Sequence, residues 1–237
     1  MSNKEQEKQM DLLFSERLSF YDYKLKISRR YIYLLIIIAG FINLLLLVPD
    51  LSLIEDGAAR IMIAIIRILY SIVLFILSFR IKAIKSFKLV SVIVSLCEAA
   101  AGAIFLFVFS RYSQPNFMIQ TMGIITLILI VFLIPNRFSN MLVISLTVSL
   151  GFFICARVFV DSLDFTDYVA SATYVSFSIL LCAIAARSSE SHQRNEFEAK
   201  KKLERVSSTD YLTDTANRLK ISEEAERWIA FCARHEL

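Results

Sequence analysis

The chain has 237 residues, of which 57% are hydrophobic and 20% charged, with a mean hydropathy of +0.60. A soluble domain of this size carries roughly 45–50% apolar residues even with glycine counted, so the excess excludes an ordinary water-soluble globule. The scarcity of Gly (5) and Pro (3) excludes linker-like and disordered classes, and the net charge of +4 gathers at the edges of apolar runs, a distribution suited to lipid headgroups and not to nucleic acid.

The first 30 residues are too polar and too mixed in charge for a signal peptide. Leu12, Leu13, Phe14, Leu18, Tyr21 and Leu25 recur at helical spacing beside Arg17, Lys24 and Lys26. That pattern fits a helix lying in the headgroup zone, with a frayed lead-in as the alternative.

A crossing of ~30 Å of hydrocarbon needs about 20 mostly apolar residues. The sequence predicts six, at 32–48, 61–79, 89–109, 117–134, 141–160 and 168–186. Pro49 follows the first, and Pro115 and Pro135 bracket the fourth, where a missing N–H does least harm. The expected fold is all-α: a six-span bundle over 31–186, a cytoplasmic linker helix over 187–208 and the first helix of an output domain over 209–237.

Lys and Arg in short loops are retained on the cytoplasmic side. Arg29 and Arg30 precede the first span, Arg80, Lys82, Lys85 and Lys88 surround the loop after the second, Arg137 follows the fourth and Arg187 follows the sixth. The intervening loops carry Asp50, Glu55, Asp56, Asp161, Asp164 and Asp167, with Arg60 and Arg111 as their cations. Both termini are therefore expected in the cytoplasm, in a multi-pass protein of a bacterial inner membrane.

Beyond residue 186 the composition turns abruptly charged. Glu190 with Arg194, Glu196 with Lys200 and Glu198 with Lys202 are i,i+4 pairs in the favourable order, so the sixth span is expected to continue as one helix. Ala199, Leu203 and Val206 lie at a/d spacing, which allows parallel pairing with a second chain or a solvated single helix. A homodimer through the sixth span and linker is the expected assembly.

Ionisable groups within a span cost about 2.5–3.5 kcal/mol at its centre, which singles out Arg67, Glu98 and Arg157 as candidate ligand-sensing residues. At 1.5 Å per residue, Arg67 lies about 10 Å and Glu98 roughly 17 Å below the outer ends of their spans, an offset an arginine can bridge. Two readings stay open: an outward pocket whose arginines receive an anionic or polar small molecule, or an Arg67–Glu98 pair that fixes helix packing. The small-residue run Ala99–Ala100–Ala101–Gly102–Ala103 would let another helix approach closely. No metal site follows from the widely spaced Cys97, Cys155, Cys182 and Cys232, or from His192 and His235.

The sharpest motif comes last, in Ser207-Ser208-Thr209-Asp210-Tyr211-Leu212-Thr213-Asp214-Thr215-Ala216-Asn217-Arg218. It resembles the opening of GGDEF domains, the diguanylate cyclases, whose D-x-L-T-x-x-x-N-R pattern follows a linker helix. Asp210, Leu212, Thr213, Asn217 and Arg218 match, whereas Asp214, Thr215 and Leu219 stand where the family commonly has Gly, Leu and Arg. Leu219, Ile221, Ala225, Trp228, Ile229 and Cys232 then recur at helical spacing.

The resemblance implies a membrane sensor that regulates condensation of two GTP to cyclic di-GMP, with GTP and Mg2+ bound by an intact output domain. No Gly follows Gly151, so the phosphate-cradling glycine turn is not in this sequence. No catalytic residue carries over, and the 237 residues alone are expected to be inactive. A small-molecule transporter or substrate-binding membrane component is the alternative, with Arg67, Glu98 and Arg157 as its site.

Overall fold

The computed structural model describes residues 20–112, 116–160 and 163–208, together with 225, 229 and 232. The described residues form helices α1 (Phe20–Leu45), α2 (Leu47–Leu53), α3 (Gly57–Ile81), α4 (Phe87–Phe109), α5 (Phe117–Leu133), α6 (Phe138–Phe159) and α7 (Phe165–Ser208), with no strand among them. Five helical runs are long and apolar enough to cross a membrane: Phe20–Leu53, α3, α4, α6 and Phe165–Leu203. This is the make-up of a multi-pass membrane protein. α5, at 17 residues, is a shorter apolar helix.

Local chemistry sets the helix starts. Asp56 accepts from the backbone N–H groups of Ala58 and Ala59 at 3.1 and 3.3 Å and caps α3, while Asn116 accepts from that of Ile119 at 3.1 Å and caps α5. α5 stops at Ile134, which is extended (φ −78°, ψ 122°) because a following proline disfavours the helical region.

Two sequence expectations are corrected at the amino-terminal end. Pro49 does not follow the first crossing; after a one-residue break at Leu46 it sits in the first turn of α2, where its missing N–H is tolerated. Residues 20–30 belong to the same helix as the crossing, and Lys24 and Leu25 are buried. Leu12, Leu13, Phe14 and Leu18 lie outside the described residues.

The bundle buries polar side chains among apolar ones such as Ile32, Val90 and Phe152, and its exterior is largely apolar. Ser71, Ser78, Ser91, Ser145, Ser149, Ser171, Thr121, Asn43 and Asn136 are buried, while Phe41, Leu45, Leu69, Phe79, Leu96 and Leu150 are among many large apolar side chains left exposed. Hydrocarbon solvates such side chains as well as a core would, so close packing and interhelical hydrogen bonds decide which face turns inward. Close approach occurs at three glycines. A Cβ on Gly40 would meet the Phe75 ring at 2.8 Å, one on Gly102 would meet Val148 Cγ2 at 2.5 Å, and one on Gly151 would meet Leu106 at 2.7 Å. Within the Ala99–Ala103 run it is therefore Gly102 that admits α6.

Phe152 centres the packing of α4 to α7. It stacks on Phe117 with ring centroids 5.6 Å apart, and Phe109 stands 5.4 Å away. Val175 and Ile179 of α7 join the same core, and Thr121 donates to Ser171 at 2.9 Å.

Basic residues converge on one end of this bundle. Lys24 Nζ donates to the Asn136 carbonyl at 3.2 Å and Arg29 to the Ile84 carbonyl at 2.8 Å. Lys82 lies 3.6 Å from the Tyr33 ring centroid, and Arg187 lies 5.8 Å from that of Phe138. In the segment 190–237, α7 runs on to Ser208, Glu196 and Lys200 pair at 2.8 Å, and Ala225, Ile229 and Cys232 are helical.

Candidate functional site

Two buried polar networks occupy the bundle, each built around one of the charges singled out in the sequence. Arg67, in α3, is 5% exposed and pairs through Nε with Asp50 Oδ2. Its Nη1 donates to Asn43 Oδ1 at 3.0 Å. The amide of Asn43 donates to the Arg67 carbonyl at 2.9 Å and to Ser71 Oγ at 2.8 Å, and Ser71 donates to the Gly40 carbonyl at 3.1 Å. Tyr112, beyond the end of α4, completes the set by donating to Asp50 Oδ1 at 2.7 Å. Burial, reinforced by this bond to Asp50, holds the Tyr112 phenol well above its ordinary range, so it remains a donor.

The geometry makes this first network a staple. One carboxylate, one guanidinium and one amide are tied together across α1, α2 and α3, and the carboxylate and guanidinium neutralise each other, the arrangement in which buried charges are tolerable.

The second network lies at the end marked by Lys24. Ser91, Ser95 and Glu98 fall at i, i+4 and i+7 and share one face of α4, Glu98 being the middle residue of that helix. Asn136, wholly buried in the connection after α5, meets all three. It accepts from Ser91 Oγ at 2.6 Å and donates to Ser95 Oγ at 2.9 Å and Glu98 Oε2 at 3.1 Å. Asn140 of α6 donates to Ser95 at 2.9 Å.

The length of α5 explains how a connecting residue reaches that depth. Its 17 residues rise about 25 Å, short of a ~30 Å crossing. The turn therefore carries a polar side chain into the bundle.

Glu98 also lines a cavity of about 50 Å3 together with Ile36, Tyr70, Cys97, Ile130 and Ile134. Tyr70 donates to the Cys97 carbonyl at 2.8 Å.

The Arg67–Glu98 pairing suggested by their depths does not form, because each charge has nearer partners: Asp50 and Asn43 for Arg67, Asn136 for Glu98. Arg157 stands apart from both, exposed in the last turn of α6. Asn43, Asp50, Asn136 and Lys24 were not legible as site residues. Asp50 follows Pro49 and reads as a loop acid, and Asn136 lies between a proline and an arginine. The i, i+4, i+7 spacing of Ser91, Ser95 and Glu98 was the one signal available. The motif residues Asp210, Leu212, Thr213, Asn217 and Arg218 lie outside the described residues. No protein-family model matches the chain, and a search of curated proteins finds no match.

Proposed function

We propose that this chain is the membrane sensor part of a protein whose output is a GGDEF diguanylate cyclase, converting two GTP to cyclic di-GMP. The observation that carries the reading is a helix, α7, described from Phe165 to Ser208, which changes from apolar to charged and lies two residues before Asp210 in the sequence. A helix followed in sequence by Asp210, Leu212, Thr213, Asn217 and Arg218 suits a device that passes rotation or altered pairing from a membrane bundle to an enzyme.

Six crossings with both termini in the cytoplasm of a bacterial inner membrane complete the reading. The convergence of Lys24, Arg29, Lys82, Arg137 and Arg187 on one end supports it. So does α5, which starts near the Tyr112 end and delivers Asn136 to the Lys24 end. Pairing with a second copy would use α7, where Ala199 and Leu203 are exposed at heptad spacing. Residues 209–237 contain no glycine, so the glycine turn that the resemblance implies for the nucleotide is not among them.

The test is a fusion of residues 1–208 to the catalytic GGDEF domain of a characterised cyclase, with one to seven residues inserted between Ser188 and Val206. Cyclic di-GMP output in isolated membranes should rise and fall with insert length and recover near seven residues, about two helical turns of a paired helix. Equal output at every length would defeat the reading.

A further inference from the structure

Half of the Glu98 carboxylate is accounted for and half is not. Oε2 accepts from Asn136, whereas Oε1 is buried without a hydrogen-bond partner in a side chain only 4% exposed. Among the described residues no Lys or Arg pairs with Glu98. A carboxylate in such surroundings is costly unless something cancels its charge.

The groups around it limit what that can be. α1 brings Ile36 and Ala39 to the cavity, with Lys24 further off on the Asn136 carbonyl. α3 brings Tyr70, α4 brings Cys97, and α5 brings only apolar side chains. The connection after α5 adds Asn136 and Arg137, whose backbone N–H donates to Asn136 Oδ1 at 2.8 Å. Among the lining side chains, oxygen is supplied by Glu98 and Tyr70 alone, far short of the six or more oxygens that a hard divalent cation collects. A proton requires one oxygen.

We infer that Glu98 is a proton-binding site inside the bundle, reached from the Lys24 end along the seam of Ser91, Ser95 and Asn136. A proton from water at that end forms an O–H bond at Oε1 and cancels the charge. Release breaks that bond and returns the proton, and no other bond changes. Glu98 shares its cavity with Tyr70, whose oxygen keeps lone pairs free to accept after its own proton goes to the Cys97 carbonyl. The inference does not depend on the cyclase reading; under that reading, proton binding is a candidate stimulus.

pH-difference infrared spectroscopy of the purified chain in lipid nanodiscs tests this directly. A carboxylic-acid carbonyl band should grow as a carboxylate band falls across the titration. The pair should be absent from Glu98→Gln and displaced in frequency in Glu98→Asp, which keeps an acid at the site and serves if the glutamine variant does not fold. Spectra unchanged by either substitution would overturn the inference. So would bands that move at constant pH when sodium replaces N-methylglucamine, since the guest would then be a metal cation.

Discussion

Asp50 holds the most consequential single position in the first network, because its two oxygens serve two different elements: one takes the Arg67 guanidinium and the other the Tyr112 hydroxyl. Removing one partner of a buried pair leaves the other charge uncompensated, which costs about 3–5 kcal/mol. Asp50→Ala is therefore expected to lower thermal stability in detergent by that order, whereas joint replacement of Asp50 and Arg67 by leucine should cost markedly less. A double variant no more stable than Asp50→Ala would contradict the neutralising role of the pair. Arg67 and Glu98 were legible from sequence as residues requiring partners, because a charge in an apolar run is conspicuous. Their partners were not, since an asparagine or aspartate near a proline carries the same letters whether it turns a loop or enters a bundle.

At the scale of helices, packing rests on where backbones can approach. Gly102 faces Val148, and a methyl group there would come within 2.5 Å of Cγ2, on a β-branched side chain with few rotamers to retreat into. Gly102→Ala is expected to destabilise the chain by about 1–3 kcal/mol through overpacking. Adding Val148→Ala should recover part of that loss by making room. Gly57, at the start of α3, has nothing within 4 Å of a built Cβ, so Gly57→Ala should leave stability unchanged or raise it by up to about 1 kcal/mol. Comparing the three variants in one unfolding series separates steric effects from helix propensity. Hydropathy and proline placed the apolar cores of these helices correctly, to within a few residues. The extension of the first crossing through Pro49 to Leu53 escaped that reading, because a proline in a helix's first turn and one beyond its last look alike in sequence.

For the whole molecule, the decisive quantity is the parity of crossings. Among the described residues five helical runs are long and apolar enough to span, and α5 is shorter. If α5 crosses, the 82–86 connection and the Asn136 turn share one face of the membrane, and the proposed function requires the segment after Ser208 to lie on the cytoplasmic face. Paired reporter fusions, alkaline phosphatase for the periplasm and a fluorescent protein for the cytoplasm, placed after Lys85, after Glu55 and after Ser208, measure it most directly. Fluorescence without phosphatase activity after Lys85 and Ser208, with the reverse after Glu55, is the predicted result. Phosphatase activity after Ser208 would contradict the account.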